Sequence, residues 1–166
     1  MNKLDLPREI ESKVQARFSD CDPFNHLNNS RYLDYIINAR EDQLIKFYSF
    51  DIHKIAKEKA VAWVVAQTQI AYLIPVDVME VITIQTRLLS YSSKSLLLEA
   101  IMWNENKALV KSVMWSHYVH YNLKARTSQE HSTELLEFFE AIHYPLENNP
   151  IFEERVKILK KLNKTN

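Results

Sequence analysis

The sequence contains no glycine, which is unusual for a chain of 166 residues. Neither a Walker A phosphate loop nor a Rossmann dinucleotide fingerprint can be written without glycine. These routes to nucleotide hydrolysis and to dinucleotide-dependent redox chemistry are therefore excluded. Backbone positions with positive φ are expected to fall mainly on Asn and Asp, the residues that tolerate them next best.

The sequence also has a single cysteine, no excess of either charge and no long apolar run. The single cysteine, Cys21, rules out an intrachain disulfide and fits a reducing compartment. The 21 basic residues are balanced by 21 acidic ones, so the basic excess of a nucleic-acid binder is missing. No apolar run approaches the roughly 20 residues of a membrane span, and residues 1–10 lack the continuous apolar core of a signal peptide. We therefore expect a cytoplasmic protein with no membrane span and no nucleic-acid partner.

Apolar periodicity predicts one domain of the α+β class over residues 1–166. Leu33, Ile36, Ile37 and Leu44 recur at helical spacing, which predicts a long helix over roughly residues 29–48. Alternating apolar residues predict strands on both sides of this helix, and two further helices follow. The predicted strands cover residues 11–18, 61–72, 81–89, 95–103 and 108–121, and the C-terminal helices cover residues 134–142 and 152–162.

This order of elements indicates an antiparallel five-stranded sheet wrapped around the long helix. The later strands follow one another through short turns, which favours an antiparallel meander, and the apolar helix needs a sheet to cover it. The core is expected over about residues 11–122, with a C-terminal helical extension over about residues 131–162. An open sheet leaves unpaired edges, which assembly into a homodimer or homotetramer would protect.

A polar loop over residues 19–28 precedes the helix and concentrates groups suited to chemistry. A helix N-terminus presents unpaired N–H groups and a partial positive charge, which stabilise an oxyanion as it forms. A carboxylate just before that end, such as Asp22, is able to attack a carbonyl or to activate water. The loop is therefore a candidate site for acyl transfer.

A motif runs from this loop into the helix: Asp22-Pro-Phe-Asn-His26-Leu-Asn28-Asn29, followed by Tyr32 and Ala39-Arg40. It resembles the signature of hot-dog-fold thioesterases of the 4-hydroxybenzoyl-CoA thioesterase type. The resemblance covers about residues 11–122 and includes the order of the elements. It implies a hot-dog fold, hydrolysis of an acyl-CoA or acyl-carrier-protein thioester to a carboxylic acid and a free thiol, a homo-oligomer with shared sites, and no cofactor.

Residue by residue, the resemblance assigns the catalytic carboxylate to Asp22 and the oxyanion donor to the backbone N–H at Asn29. Asp22 either attacks the thioester or removes a proton from water, and the alternative is a turn-capping role, since Asp-Pro often starts a turn. His26 is a third catalytic candidate that polarises the site, positions Asp22 or holds the loop. A metal ion on Asp20, Asp22 and His26 is a weak alternative, so no metal is expected. Cys21 is not expected to act as a nucleophile, because neighbouring carboxylates raise the pKa of a thiol.

Three further residues are candidate substrate ligands. Lys94 lies in the turn before the fourth strand, where members of this family bind the CoA phosphates. Arg87 and Asn28 complete the set, although Arg87 is also consistent with a surface residue of its strand, and Asn28 with a helix cap. The rival functions are a hot-dog hydratase or dehydratase acting on acyl thioesters and a non-catalytic acyl-CoA-binding module.

Overall fold

The computed structural model describes residues 6–165, which form an antiparallel sheet packed around one long helix. Residues 1–5 and Asn166 lie outside the described residues. The prediction that residues 1–10 are not a signal peptide therefore falls partly outside them. No helix within residues 6–165 is long and apolar enough to cross a membrane. The strands are β1 Glu9–Gln15, β2 Val61–Tyr72, β3 Val81–Tyr91, β4 Ser95–Asn104, β5 Val110–Asn122 and β6 Thr127–Ser128. The helices are α1 Asn29–Tyr48, α2 Ile52–Lys59, α3 Thr133–Ile142 and α4 Phe152–Thr165.

The strand order in the sheet is β1-β3-β4-β5-β2, with the two-residue β6 paired to β5. Every pairing is antiparallel, and β3, β4 and β5 form the predicted meander. The edge strands are therefore β1 and β2. The predicted α+β class and the sheet around a long helix are both confirmed.

The inner face of the sheet packs against α1, whose bounds agree with the prediction. Its buried residues are Tyr32, Ile36, Ala39 and Gln43. The predicted apolar stripe was offset from this face, because Leu33 is exposed while Ile37 and Leu44 border a cavity. The sheet residues that meet α1 include Ile82, Ile84, Ala100, Met102 and Met114.

The outer face of the sheet is covered by α4, the last of the predicted C-terminal helices. Phe152 and Leu159 of α4 pack on Ile101, Val113 and Trp115 of the sheet. Near the end of the helix, the Asn163 side chain accepts a hydrogen bond from the Val110 N–H (2.8 Å) and donates one to the Val110 carbonyl (2.9 Å). The extension is thus part of the packed structure.

The first strand ends earlier than the alternation predicted. β1 stops at Gln15, and the chain turns through a short 3-10 helix at Phe18–Asp20. Phe18, predicted to share the buried face of the strand, is instead 76% exposed. Strand pairing ends there because Gln15 pairs with Val81, the first residue of β3, and β3 offers no partner beyond it.

Eight residues adopt a positive φ in the described part of the chain, and only three of them are Asn. The expectation that Asn and Asp would occupy most of these positions was wrong. Helix ends provide one reason: Ser49 and Ala60 take the left-handed conformation as their N–H groups bond back to α1 and α2. The hydrogen-bond geometry of a helix C-terminus imposes this conformation on whichever residue stands there.

Ala60→Gly is expected to stabilise the protein by roughly 0.5–1 kcal/mol, because it removes the steric cost of a Cβ at φ 53°. This gain exceeds the cost of the greater conformational entropy that glycine gives to the unfolded chain. The matched control, Ala56→Gly inside α2, should destabilise by about 1 kcal/mol. Urea unfolding of the two variants measures both changes. An Ala60→Gly protein less stable than the parent would contradict the argument.

Candidate active site

The Asp22 loop is closed by backbone and side-chain hydrogen bonds. The Asp22 N–H donates to the His26 carbonyl (2.7 Å), and the Asp22 Oδ1 accepts from the N–H groups of Phe24 (2.9 Å) and His26 (3.1 Å). Asn25, at the tip, adopts φ 63°. No described residue donates to the other carboxylate oxygen, Oδ2. Capping of the turn therefore occupies Oδ1 and leaves Oδ2 without a donor among the described residues.

The N-terminus of α1 begins directly after this loop. The Asn28 side chain caps it by accepting from the Ser30 N–H (3.0 Å) and the Ser30 hydroxyl (2.8 Å), and the Asn28 carbonyl accepts from the Arg31 N–H (2.8 Å). These bonds use the N–H groups of residues 30 and 31. Within residues 6–165, no acceptor is found for the Asn29 N–H. Asn28 is thus a helix cap, and Asn29 offers the donor suited to an oxyanion.

Two tyrosines anchor this helix end to β2 and to the segment that follows β2. The Tyr72 hydroxyl, at the end of β2, donates to the Asn29 carbonyl (3.1 Å), and the Tyr32 hydroxyl accepts from the Val76 N–H (3.1 Å). The two rings meet edge to face, 5.0 Å apart. Burial raises the pKa of Tyr32, so this hydroxyl stays neutral. The donor at Asn29 is therefore held in place by packed aromatic side chains.

His26 acts on the loop through its backbone. Its N–H and carbonyl both bond to Asp22, while its ring Nε2 lies 3.7 Å from the Asp77 carboxylate. A bridge between the backbones of His26 and Asp77 joins the loop to the segment before β3. This geometry favours the loop-holding role among the three proposed for His26.

The other polar side chains of the loop are engaged in structural contacts. The Asp20 carboxylate accepts from the Tyr35 hydroxyl (2.8 Å) and lies 3.7 Å from Arg31. Burial and the charges of Asp20 and Asp22 raise the pKa of Cys21, as expected for an unreactive thiol. In the described chain, no three His, Cys, Asp or Glu side chains are grouped to hold a metal ion.

Lys94 lies far from Asp22 within one chain. The Asp22 loop is tied to the start of β3, because the Val78 N–H donates to the Asn25 carbonyl (2.8 Å). Lys94 lies in the exposed turn after the other end of β3, about 30 Å away at roughly 3.3 Å per residue. A single chain does not bring the two residues together.

Arg87, a candidate substrate ligand, lies in an ion cluster on the outer face of the sheet. Its guanidinium donates to Glu99 at 2.9 and 2.5 Å and lies 3.4 Å from Glu9. Arg155 of α4 reaches the same Glu99 carboxylate at 2.9 and 3.0 Å. This face is turned away from α1, and the shared Glu99 carboxylate links Arg87 of the sheet to Arg155 of α4.

A cavity of about 210 Å³ lies between the second half of α1, the sheet and α3. Apolar periodicity did not predict this cavity, because its walls come from elements that are far apart in the chain. Trp63 lines this cavity, whereas Trp103 and Trp115 pack on the outer face of the sheet. The lining is mostly apolar and includes Ile37, Leu44, Phe50, Leu98, Tyr118 and Phe138, together with Arg40 and Glu41.

Comparison with known proteins assigns the family. The model of the thioesterase-like superfamily matches residues 16–144, more than half of the chain. The chain belongs to this superfamily. The match extends beyond residue 122, where the recognised motif pattern ended, and takes in α3, while α4 lies outside it.

Individual members of the thioesterase-like superfamily agree with this assignment. The chain is 28% identical to the long-chain acyl-CoA thioesterase FadM of Escherichia coli over 134 residues, 79% of this chain and 97% of that protein. The crystal structure of YbaW, a probable thioesterase from Escherichia coli, superposes with a TM-score of 0.70 at 25% identity, covering 81% of this chain and 99% of that one. A DHNA-CoA thioesterase from Staphylococcus aureus shares the fold with a TM-score of 0.71 at 14% identity, covering 92% and 93%.

These comparisons confirm the predicted hot-dog fold and the thioesterase resemblance. As a member of the thioesterase-like superfamily, the chain is a thioester hydrolase. Hydrolysis is therefore favoured over the rival hydratase and the rival non-catalytic module.

Proposed function

We propose that this chain hydrolyses acyl-CoA thioesters to a carboxylic acid and free CoA at the N-terminus of α1. The observation that carries the proposal is the Asp22 carboxylate, which two backbone N–H groups orient through Oδ1. It lies beside the Asn29 N–H, for which residues 6–165 provide no acceptor. The likeness to an acyl-CoA thioesterase of Escherichia coli supports CoA as the thiol of the substrate.

In this mechanism the Asn29 N–H and the helix dipole stabilise negative charge on the thioester oxygen as its carbon becomes tetrahedral. Asp22 supplies the attack through Oδ2. It either takes a proton from the attacking water or attacks the carbonyl carbon itself, forming a mixed anhydride that water then hydrolyses. The carbon–sulfur bond breaks and CoA leaves as a thiolate. Because thiols have a pKa of about 8.5, departure needs no strong general acid.

The partner we propose is a second copy of this chain, paired along β2. This edge strand is 12 residues long, and its central residues Val64, Val65 and Ala66 are exposed. Exposed apolar edges invite pairing with another strand. The opposite edge strand, β1, carries charged side chains that disfavour pairing with another strand. Lys13 lies 3.3 Å from Glu105, and Glu11 lies 2.6 Å from Lys107.

Antiparallel pairing of β2 with its copy would complete the site. It sets the Val61 end of one strand beside the Tyr72 end of the other, and Tyr72 is bonded to Asn29. The Val61 end lies beside the cavity, because Trp63 lines it. It also lies near Lys94, because Trp63 pairs with His120 and the His120 N–H donates to the Lys94 carbonyl (2.8 Å). Each Asp22 would then face the cavity and the lysine of the other protomer.

Ala66→Lys is expected to dissociate the dimer, because it places two like charges near the twofold axis on a strand that is exposed in the monomer. Analytical ultracentrifugation at micromolar concentration should show a dimer or larger assembly for the parent and a monomer for the variant, with activity lost on dissociation. The control, Glu11→Lys on β1, should keep the assembly. A parent protein that is a stable, active monomer would contradict the shared site.

Lys94→Ala should raise KM for acyl-CoA roughly tenfold at low salt with little change in kcat, because the lysine attracts the CoA phosphates as a point charge. Its side chain is exposed and has no ion-pair partner within residues 6–165. Steady-state kinetics at low and at high salt measure the effect, which salt should weaken. Lys160→Ala, an exposed lysine on α4, serves as the control. An unchanged KM at low salt would remove Lys94 from the site.

Thiol release across acyl-CoAs of different chain length, with aromatic acyl groups and acyl-carrier-protein thioesters included, tests the function itself. Release of free CoA at a substrate-dependent rate is expected. Binding without thiol release would reduce the protein to an acyl-CoA-binding module. We also propose a cytoplasmic location, since the free thiol of Cys21 suits a reducing compartment.

A further inference from the structure

Arg40 is a largely desolvated cation that forms no ion pair within residues 6–165. It lies on α1, its Nη1 donates to the Thr86 hydroxyl (3.0 Å), and its Nε is buried with no hydrogen-bond partner in the described chain. Desolvation lowers the pKa of Arg40, and only the phenols of Tyr48 and Tyr118 act in the opposite direction. An uncompensated buried charge is costly, so its presence calls for a ligand or a function.

The accessible part of Arg40 borders the cavity between α1, the sheet and α3. Its walls are otherwise almost entirely apolar or aromatic. The one carboxylate among the lining residues, Glu41, pairs with His53 (3.1 Å) instead of Arg40. A ligand that fills this space must therefore be apolar along its body and gains most from an anionic group at Arg40.

We propose that this cavity binds an apolar carboxylic acid, with its carboxylate on the Arg40 guanidinium and its hydrocarbon part against Leu44, Leu98 and Phe138. Arginine presents a planar set of donors that matches a carboxylate, and such pairs strengthen in a water-poor site. The volume of about 210 Å³ exceeds that of apolar cavities of about 150 Å³ that bind benzene. This inference deepens the proposed function, because it names the class of acid that the thioesterase recognises.

Two sources supply such a carboxylate. It is either the free monocarboxylic acid released by hydrolysis, which would inhibit as it accumulates, or the distal carboxylate of a dicarboxylic acyl group still bound to CoA. Calorimetric titration with octanoate and 1-octanol tests the first source. Hydrolysis of octanedioyl-CoA compared with octanoyl-CoA tests the second. The calorimetric comparison can be interpreted even if no thioester is hydrolysed. Failure of the proposed carboxylate site can therefore be distinguished from failure of the proposed thioesterase activity.

For the parent protein, octanoate should bind at least tenfold more tightly than 1-octanol, or octanedioyl-CoA should exceed octanoyl-CoA in kcat/KM by a similar factor. Arg40→Met should abolish whichever preference is found while leaving 1-octanol binding unchanged. Its melting temperature should equal or exceed that of the parent, because an unpaired buried charge is removed. Lys46→Met, an exposed lysine on the same helix, is the control.

The absence of both preferences in the parent protein would overturn the proposal without recourse to any variant. A preference for octanoate that persists in Arg40→Met would also overturn it, and would assign the carboxylate to the Asn29 N–H instead. Arg40→Lys, which keeps the charge but not the planar set of donors, should retain part of the preference.

Discussion

Replacing Asp22 by Asn is expected to lower kcat on the order of a hundredfold or more, the scale of losing a positioned base or nucleophile. The substitution keeps the fold of the loop, because the Asn Oδ1 still accepts from the N–H groups of Phe24 and His26. The amide nitrogen then replaces Oδ2, the oxygen to which no described residue donates. The variant should therefore melt like the parent and still bind acyl-CoA, while turnover is lost.

Asp20→Asn is the matched control for this prediction. It lies two residues away, and its amide oxygen can still accept from the Tyr35 hydroxyl, so its effect on kcat should be far smaller. Steady-state measurements of thiol release at saturating substrate compare kcat for the three proteins. If Asp22→Asn turns over at a rate near that of the parent, Asp22 is only a turn cap and the end of α1 serves binding alone.

Replacing Glu99 by Gln should cost about 3–5 kcal/mol of unfolding free energy, since it removes the counter-charge of Arg155 and leaves Arg87 with the more distant Glu9 carboxylate at 3.4 Å. Glu99 is 1% exposed, and its carboxylate is shared by Arg87, Arg155 and the Trp115 indole. Denaturant unfolding measures the loss. Glu137→Gln, an exposed residue of α3, should change stability by less than about 0.5 kcal/mol.

The same cluster predicts a pH dependence. Burial alone would raise the pKa of Glu99, but the hydrogen bond and charge of Arg155 and the charge of Arg87 outweigh it, so the pKa is lowered. The contribution of Glu99 to stability is therefore present above its ordinary value of about 4.5 and is lost as the pH falls through the lower folded value. Unfolding free energy should decline on acidification more steeply for the parent than for Glu99→Gln. Equal slopes, or a Gln variant within about 1 kcal/mol of the parent, would show that the cluster does not fasten α4.

The site could be found from sequence to the extent that it is local. Asp22, His26, Asn28 and Asn29 lie within eight residues, so their closeness follows from the covalent chain, and the structure joins them through one loop and one helix end. Roles that depend on which oxygen or ring atom is engaged were out of reach. Only the folded loop separates the Oδ1 of Asp22 from its Oδ2.

The features that the sequence did not predict depend on contacts between distant segments. The alternation in β3 predicts which side of the strand Arg87 faces. It does not predict that α4 covers this side, because Arg155 of α4 reaches Glu99 from 56 residues further along the chain. Phe18 was predicted to be buried because the alternation continues past Gln15, but Gln15 pairs with the first residue of β3 and the strand ends there. Arg40 appeared in the sequence only as the end of a motif, and its missing counter-charge became visible once α3 and the sheet closed around it.

The sequence by itself determined the class of fold, the bounds of α1 and the loop that carries the candidate chemistry, because hydrophobic period, capping residues and motif spacing act over a few neighbouring residues. The tertiary structure alone decided which face of α1 is buried, where α4 docks, and that a cavity with an unpaired arginine lies beside an exposed edge strand. These features arise from packing between segments that are far apart in the chain. The hydrophobic periodicity of one segment does not determine which other segment packs against it.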